Sequence, residues 1–375
     1  MKDTLRIALA LTNQDRALSQ RSDGIDALRG IAILAVLIYH CVLEFNTGGD
    51  GWLGTFSSNP FNFFFPHHLG NFGVSLFFVI SGFCIHRSNA LWVRRHPQAS
   101  TATQWKQYAR CRFLRIAPLY FLALIAFYIA QSPAPFSPNE LIDLAIHAAL
   151  IQTLIEGHLA HINPSFWTLA VEVQLYALYP LLWHAIQRWG AVSVVSATLM
   201  VSLAWRLGLP LLTSTYWVTH LPWCWGFDWL LGVGVAQAVE SRRWPNGVHI
   251  LGALLVALVL LVPSRSPVLY AVVPGIVFSM LVGWIARLSK MPLALGPLVT
   301  LGVSSYALYL IHQPIMATVA RQLHSMNVST VDPLPFGIVS LACCAACIAV
   351  SPRLERFGHR LGQYLDVRRL NISEK

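Results

Sequence analysis

Apolar runs of about 16 to 20 residues recur along the whole chain, and this repetition constrains the fold more than any other feature. About 20 consecutive apolar residues are needed for a helix to cross the hydrocarbon core of a bilayer. Charged residues make up only 11% of the 375 residues, whereas a soluble domain carries about a quarter. We therefore predict an all-α polytopic membrane protein, in contact with membrane lipids, and exclude a water-exposed globule.

Ten of the apolar runs are predicted to span the membrane as a helical bundle. They cover residues 29–45, 71–88, 113–131, 167–187, 191–206, 221–239, 248–263, 268–286, 298–320 and 335–351. Segment 141–155 is shorter and carries Asp143 and His147. We expect it to lie on, or dip into, the outer side of the membrane without crossing.

The distribution of positive charge predicts the orientation of this bundle. With ten spans, 23 of the 26 Lys and Arg residues fall on one side of the membrane, and three fall on the other. If segment 141–155 crossed, the division would be 15 against 11. Because cytoplasmic loops retain Lys and Arg, both termini are predicted to be cytoplasmic. The net charge of +10 is then explained without a nucleic-acid partner.

Residues 1–375 are predicted to form a single membrane domain, with a polar cytoplasmic tail at 1–24 and a basic cytoplasmic tail at 353–375. The seven cysteines fall almost entirely inside apolar runs, where they are expected to pack as small hydrophobes, and no disulfide framework is readable. The cysteine-rich segment SLACCAACIAV is interpreted as lipid-facing filler.

Ionisable side chains inside apolar runs are the candidates for chemistry, because placing one in a membrane costs a few kilocalories per mole. Arg29 stands near the start of DALRGIAILAVLIYH, and His40 follows eleven positions later, about 16 Å further along a helix. Glu172 in the fourth span is expected at the depth of His40, where a carboxylate would orient the imidazole as a general base. The alternative is a buried polar pair that merely joins two helices.

Other histidines are weaker candidates. His312 in the ninth span is expected in the outer half of the membrane, where it either joins the same cavity or packs as a hydrogen-bonded residue. His158 and His161 have the spacing of metal ligands and lie close to Glu156. Their loop context is too loose to specify zinc, and no metal is predicted.

The most basic loop follows the second span and ends in RCRFLRIAPLY. Arg112 and Arg115 are three residues apart, which places them on one face of the third span. Arginines fixed at a membrane rim can hold phosphates through paired donors, although retention of the loop in the cytoplasm explains most of its charge. In the second span, Ser81 and Gly82 are among the small residues that allow a helix or a slender ligand to approach the backbone closely.

Five segments, in this order, resemble the acyltransferase 3 family of integral membrane acyltransferases, which modify carbohydrates and related acceptors at bacterial envelopes. They are DALRGIAILAVLIYH, NFGVSLFFVISGF, RCRFLRIAPLY, SFWTLAVEVQLYALYP and SYALYLIHQPI. The resemblance implies transfer of an acyl group, above all acetyl, from cytoplasmic acyl-CoA to a hydroxyl of a carbohydrate or lipid-linked glycan. The protein would act in the bacterial inner membrane, and a C-terminal esterase-like domain found in some relatives is expected to be lacking.

The same resemblance implies roles for individual residues. His40 would be the catalytic base, with Arg29 as an essential partner in the same helix. Glu172 is expected, from its depth in the fourth span, to stabilise the imidazolium. Direct transfer and an acyl-imidazole intermediate both remain open. A transporter or flippase that uses His40 and Glu172 as a proton relay is the competing interpretation.

The remaining site residues divide between donor and acceptor. Arg112 and Arg115 would bind the phosphates of acyl-CoA, and Ser81 is expected beside the donor. His312 and Tyr176 are expected to contact the acceptor.

Overall fold

The protein is a bundle of α-helices. The computed structural model describes residues 22–45, 66–132, 136–208, 219–241, 267–288, 293–330 and 332–373, and these contain no β-strand. The helices are α1 (Asp23–Phe45), α2 (Pro66–Arg95), α3 (Thr101–Gln131), α4 (Pro138–Ala148), α5 (Phe166–Trp189), α6 (Ala191–Gly208), α7 (Pro222–Glu240), α8 (Pro267–Ile285), α9 (Gly296–Val303), α10 (Ser305–Ser325) and α11 (Pro333–Ser373).

Several helices have the length and composition of membrane spans. Within the described ranges, five are long and apolar enough to cross a bilayer: Asp23–Phe45, Leu69–Arg95, Thr101–Gln131, Phe166–Trp189 and Pro333–Asp366. Large apolar side chains stand exposed on outward faces, as Leu181 and Leu341 do with 70% and 73% of their surface. Apolar surface of this kind suits contact with lipid. The predicted class, an all-α multi-pass membrane protein, is confirmed.

Nine of the ten predicted spans fall on described helices, and the span at 248–263 lies outside the described residues. The span at 298–320 is broken at Ser304, where α9 ends and α10 begins. Segment 141–155 is helical only as far as Ala148, and the 11 residues of α4 rise about 16 Å, half the thickness of the hydrocarbon core. The count of ten spans and the orientation of the termini stay predictions.

The basic segment at 353–375 is not a separate tail as far as it is described. Its residues up to Ser373 continue α11, which packs on α3 and α10. Of the polar segment at 1–24, only the last three residues are described, and α1 begins among them at Asp23.

Local sequence signals set the helix ends around the site. Asp23 and Asp26 occupy the first turn of α1, where acidic groups interact favourably with the helix dipole. Ser100 caps α3, and its Oγ accepts a hydrogen bond from the backbone N–H of Thr103 at 3.2 Å. α5 ends at Gly190, whose φ of 82° is one that glycine adopts without strain.

Reciprocal glycines bring α2 and α7 into close contact. A Cβ atom on Gly82 would lie 1.9 Å from the carbonyl oxygen of Trp229, and a Cβ on Gly232 would lie equally close to that of Val79. The two backbones therefore approach to a distance that only glycine permits. α2 also packs on α1, so it lies between two neighbours and carries Ser81 beside the glycine contact.

The cysteines of α11 face the bundle. Cys343 and Cys347 are buried, and Cys344 lies with its Sγ 3.5 Å from Cys41 Sγ on α1. Their interpretation as lipid-facing filler is wrong, because this face of α11 packs on α10 and α1. All seven cysteines are free thiols in the structure.

Candidate active site

A cavity of about 160 Å³ lies where α1, α2, α3, α5 and α10 meet. We refer to it as the arginine cavity, because Arg29, Arg112 and Arg115 line it. Its other polar walls are Ser81, Cys84, Thr168, Glu172, Tyr176, Ser305, Tyr306 and Tyr309. The structure thus brings the three arginines and Ser81 together, although they come from three different helices.

Arg29 is held in the wall by α1 and α2. Its Nη1 forms an ion pair with Oδ1 of Asp26, one turn earlier on α1, at 2.5 Å. Its Nη2 donates to the Sγ atom of Cys84 at 3.3 Å. Asp26 is buried and Arg29 is partly exposed, so the guanidinium is fixed from behind while it still reaches the cavity.

The two arginines of α3 differ in their partners. Arg115 Nη1 lies 3.2 Å from Glu355 Oε1 and 2.8 Å from His359 Nε2, both on α11. The other oxygen of Glu355 accepts from the backbone N–H of Ala307 at 3.0 Å. Arg112 forms no ion pair with a described residue, and its buried Nε has no hydrogen-bond partner among them. Its charge is therefore available to a ligand in the cavity.

Glu172 bonds to hydroxyl groups in the arginine cavity and not to His40. Its Oε1 accepts from Ser81 Oγ at 2.5 Å and from the Tyr176 hydroxyl. The predicted pair of Glu172 and His40 is wrong, because the two line different cavities. Counting residues from the helix ends gave the depth of Glu172 in the membrane but not the direction of its side chain. The hydroxyls of Ser81 and Tyr176 hold the carboxylate towards α2. Tyr176, which was expected to contact the acceptor, hydrogen-bonds to Glu172 and lines the arginine cavity, not the cavity that holds His40.

A second and larger cavity, of about 470 Å³, holds His40. We refer to it as the histidine cavity. Its rings are those of Tyr39, His40, Phe72, Trp167, His220, Trp225 and Tyr309. Its polar groups include Asn71, Ser75, Ser165, Arg206, Asp228 and Gln313. Its walls therefore combine aromatic rings with polar groups, and they carry one arginine where the arginine cavity carries three.

His40 is oriented by a backbone carbonyl and by His312. Its Nδ1 lies 2.9 Å from the Val36 carbonyl oxygen and 3.2 Å from His312 Nε2. His312 Nδ1 lies 2.8 Å from the carbonyl oxygen of Tyr309. Because a carbonyl only accepts, we assign a proton to both Nδ1 atoms, so that the single Nδ1–H of His40 is shared between the Val36 carbonyl oxygen and His312 Nε2. This tautomer leaves a lone pair on Nε2 of His40.

His312 itself lines neither cavity. Its side chain is fully buried behind His40, so it cannot touch an acceptor in the histidine cavity without a rearrangement. The role of His312 in acceptor binding stays a prediction, while in the structure it is the hydrogen-bonding partner of His40 that Glu172 was expected to be.

The two cavities share a thin wall. Val74 and Tyr309 line both of them. The Tyr309 hydroxyl lies 2.8 Å from Thr168 Oγ1, and its ring packs edge-on against Phe77. Arg29 and His40 face the cavities on the two sides of this wall, as expected for residues about 16 Å apart along one helix.

Several polar groups of the histidine cavity were not predicted from the sequence. Ser165 Oγ donates to Gln313 Oε1 at 2.5 Å, and Gln313 Nε2 donates to Glu44 Oε1 at 3.2 Å. Asp228 is buried in α7 and lines the same cavity. Asp228 carried a usable signal, since it is an isolated carboxylate within an apolar run. Gln313 is uncharged and carried none.

The chain matches a family model and several named bacterial proteins. The family model, described as an acyltransferase domain, matches residues 22–351. Acyltransferase MdmB of Streptomyces mycarofaciens is 26% identical over 275 residues, which cover 65% of this chain and 67% of that protein. No solved structure matches the chain.

Two further relatives are longer than this chain. Peptidoglycan O-acetyltransferase OatA of Listeria monocytogenes is 26% identical over 340 residues, 78% of this chain and 49% of OatA. O-acetyltransferase OatA of Staphylococcus aureus is 24% identical over 335 residues, 79% of this chain and 51% of its own. The chain thus spans about half the length of each OatA protein.

Proposed function

Because the chain belongs to the acyltransferase 3 family, as its sequence segments predicted, we propose that it moves an acyl group from acyl-CoA to a hydroxyl of a carbohydrate. The observation that carries this proposal is the pair of cavities that share the wall of Val74 and Tyr309. A donor held in the arginine cavity and an acceptor held in the histidine cavity would meet at this wall. Acyl transfer needs two substrates in contact, and the geometry supplies two adjacent sites of different chemistry.

The arginine cavity suits the donor. CoA carries a pyrophosphate and a ribose phosphate, and guanidinium groups bind phosphates through paired charge-assisted hydrogen bonds. Arg112 has no described acidic partner, and Arg29 is fixed with part of its guanidinium towards the cavity. Acetyl is the proposed acyl group, because the cavity is small and the two OatA relatives are named as O-acetyltransferases.

The histidine cavity suits a carbohydrate. Its rings, including Trp167 and Trp225, offer flat apolar surface, and Asp228 and Gln313 can hydrogen-bond to hydroxyls. One relative is named as a peptidoglycan O-acetyltransferase. We propose an envelope glycan, free or lipid-linked, as the acceptor of this chain.

His40 acts as the general base in the proposed reaction. Its Nε2 removes the proton of the acceptor hydroxyl while the oxygen attacks the thioester carbonyl. The new C–O bond forms, the C–S bond breaks, and the departing sulfur of CoA takes the proton back from the imidazolium. Base assistance of this kind contributes about 10² to 10⁴ in rate. His312 supports the step by accepting from Nδ1 of His40, which fixes the ring and its tautomer.

Glu172 has a positioning role on the donor side. It accepts from Ser81 and Tyr176, and the indole of Trp229 donates to Ser81 Oγ at 3.3 Å. This hydrogen-bonded group joins α2, α5 and α7 beside the arginines. Its carboxylate offsets part of their charge, and it holds the two hydroxyls in fixed directions.

We propose that the arginine cavity opens to the cytoplasm and that the protein lies in the bacterial inner membrane. Residues 96–100 and the region around α4 lie at opposite ends of α3, whose 31 residues extend about 46 Å. Gln98 and Glu156 are both exposed. In a cysteine-free background, Glu156→Cys should react with a membrane-impermeant maleimide added to intact cells, and Gln98→Cys should react only after lysis. The opposite pattern would invert the orientation.

The test of the proposed function is acetyl transfer by the purified protein in proteoliposomes. Acetyl-CoA labelled in the acetyl group is supplied with peptidoglycan fragments or lipid-linked glycan, and mass spectrometry locates the label. We expect an O-acetyl ester in the presence of wild-type protein and none with His40→Ala. Movement of unmodified glycan across the bilayer, without any ester, would favour the flippase interpretation instead.

A further inference from the structure

Two histidines and an aspartate meet outside the membrane-spanning helices. Asp143 on α4, His158 and His161 each offer one ligand atom, and these atoms all lie within 4.8 Å of one another. His161 Nδ1 lies 2.6 Å from Asp143 Oδ2, and His158 Nδ1 contacts the other carboxylate oxygen. The spacing of the histidines suggested metal ligands, but the nearest acid in the sequence was Glu156. The fold supplies Asp143 instead, from 15 residues before His158.

The carboxylate is protected and the histidines are accessible. Asp143 is only 6% exposed, whereas His158 and His161 are 26% and 53% exposed. The cluster can therefore be reached from solvent on its histidine side.

A further histidine lies on the helix that carries Asp143. His147, one helical turn after Asp143 on α4, is fully buried, and its Nε2 has no hydrogen-bond partner among the described residues. Its Nδ1 is occupied, 2.8 Å from the carbonyl oxygen of Asp143. A buried ring nitrogen without a partner is uncommon in folded proteins, and such a nitrogen is often satisfied by a bound water or ion.

The segment that carries the histidines is fixed at both ends. Gln152 Nε2 donates to the carbonyl of Phe166 at 3.3 Å, and Asn163 Nδ2 donates to that of Leu310 at 3.1 Å. Gly157, with a φ of 87°, makes the turn that precedes His158. The histidines are thus held over α4 by a defined backbone path.

We propose that Asp143, His158 and His161 form a binding site for one Zn²⁺ ion. Two imidazoles and a carboxylate are ligands that zinc prefers, and a water molecule would complete a tetrahedron. At Zn–N and Zn–O distances of about 2.0 to 2.2 Å, neighbouring ligand atoms are roughly 3.3 Å apart. The side chains now in direct contact reach this spacing by parting less than about 1 Å.

The ion would hold part of the wall of the histidine cavity. Leu159 and Ala160 lie between the two histidine ligands in the chain, and both line that cavity. A metal bound to Asp143, His158 and His161 therefore ties this stretch of wall to α4. Its function in this position is structural, and it takes no part in the proton transfers at His40.

Zinc content is the direct test, and it is independent of the proposed acyl transfer. The purified full chain, with any affinity tag removed, is dialysed against micromolar Zn²⁺ and then against metal-free buffer, and its zinc is measured by inductively coupled plasma mass spectrometry. We expect about one zinc per chain in the wild type and less than a fifth of that in the His158→Ala/His161→Ala double variant. His184→Ala, which removes an exposed histidine elsewhere, should retain the wild-type content and thereby exclude adventitious binding.

A second measurement covers the case in which the double variant folds poorly. Hydrogen exchange of residues 149–165 in the wild type should slow severalfold when Zn²⁺ is added and recover with a chelator, while exchange in α10 stays constant. The milder variant Asp143→Asn should lose most of this response. Absence of both zinc and protection in the wild type would overturn the proposal and leave a hydrogen-bonded group of one aspartate and two histidines.

Discussion

The arginine cavity and the histidine cavity lie side by side, yet they differ in the charged groups that line them. The first contains three guanidinium groups, of which Arg29 and Arg115 are partly neutralised by Asp26 and Glu355. The second contains one arginine, Arg206, and one carboxylate, Asp228, and it places His40 among aromatic rings, oriented by a carbonyl and a second histidine. The contrast supports the proposal that the donor binds in the first cavity, and that the acceptor binds and proton transfer occurs in the second. Variants on the two sides should therefore change different kinetic constants.

The largest effect is expected on the histidine side. His40→Gln should lower kcat by about 10² to 10⁴, because it removes the base while keeping a polar side chain of similar size. The apparent Kd for acetyl-CoA should stay within about twofold, since His40 does not line the arginine cavity. Steady-state kinetics and equilibrium donor binding measure the two quantities. A variant with normal kcat would remove His40 from the mechanism.

The next largest effect is expected at His312, which orients the base His40 without acting as the base itself. His312→Leu should lower kcat by roughly 10-fold to 100-fold, the range found for groups that orient a functional imidazole. His312→Gln should retain more activity, because its amide oxygen can still accept from His40 Nδ1. Equal losses in the two variants would show that His312 contributes packing only. Thermal unfolding of both proteins in detergent controls for misfolding.

On the arginine side the change should appear in KM. Arg112→Ala should raise the KM for acetyl-CoA by roughly tenfold or more, because a hydrogen bond to a charged group contributes about 1.5 to 3 kcal/mol. Arg115→Ala should raise it less, since Glu355 and His359 share that guanidinium. Lysine at either position should rescue in part, as an ammonium lacks the paired donors. An unchanged KM in both alanine variants would place the phosphate site elsewhere.

The smallest expected effect concerns the support of Arg115. Glu355→Gln keeps an acceptor for the N–H of Ala307 but removes the ion pair, so the free energy of unfolding should fall by about 1 kcal/mol or less, given that Arg115 is partly exposed. The KM for acetyl-CoA should not increase. Arg356→Gln, at the exposed neighbouring position, is the matched control. A large rise in KM would instead give Glu355 a role in donor binding.

Helix periodicity predicted the relative positions of residues along one helix better than the contacts between two helices. The rise per residue placed Arg29 and His40 at different depths of α1, and a spacing of three put Arg112 and Arg115 on one face of α3. Periodicity does not give the rotation of α5 relative to α1, so Glu172 was assigned to the wrong partner.

Contacts between distant segments carried no signal in the sequence. Glu355 belongs to a segment predicted to be a tail, yet it pairs with Arg115 across 240 positions. Asp143 was noted only as an obstacle to membrane crossing, and its position beside His158 and His161 depends on how the loop folds back over α4. Such pairs are set by tertiary packing, which a local pattern of residue types does not encode.

The shared wall of Val74 and Tyr309 has an electrical consequence. In a membrane, voltage drops mainly across regions that exclude water and ions, and moving one elementary charge through 100 mV changes its energy by about 2.3 kcal/mol. If the arginine cavity opens to the cytoplasm and the histidine cavity to the other side, as proposed, most of that drop would fall across a valine side chain and a phenol ring. A neutral acyl group would then pass this point without work against the field, whereas a proton would not. Under the proposed function, the wall would thus separate acyl transfer from ion flow.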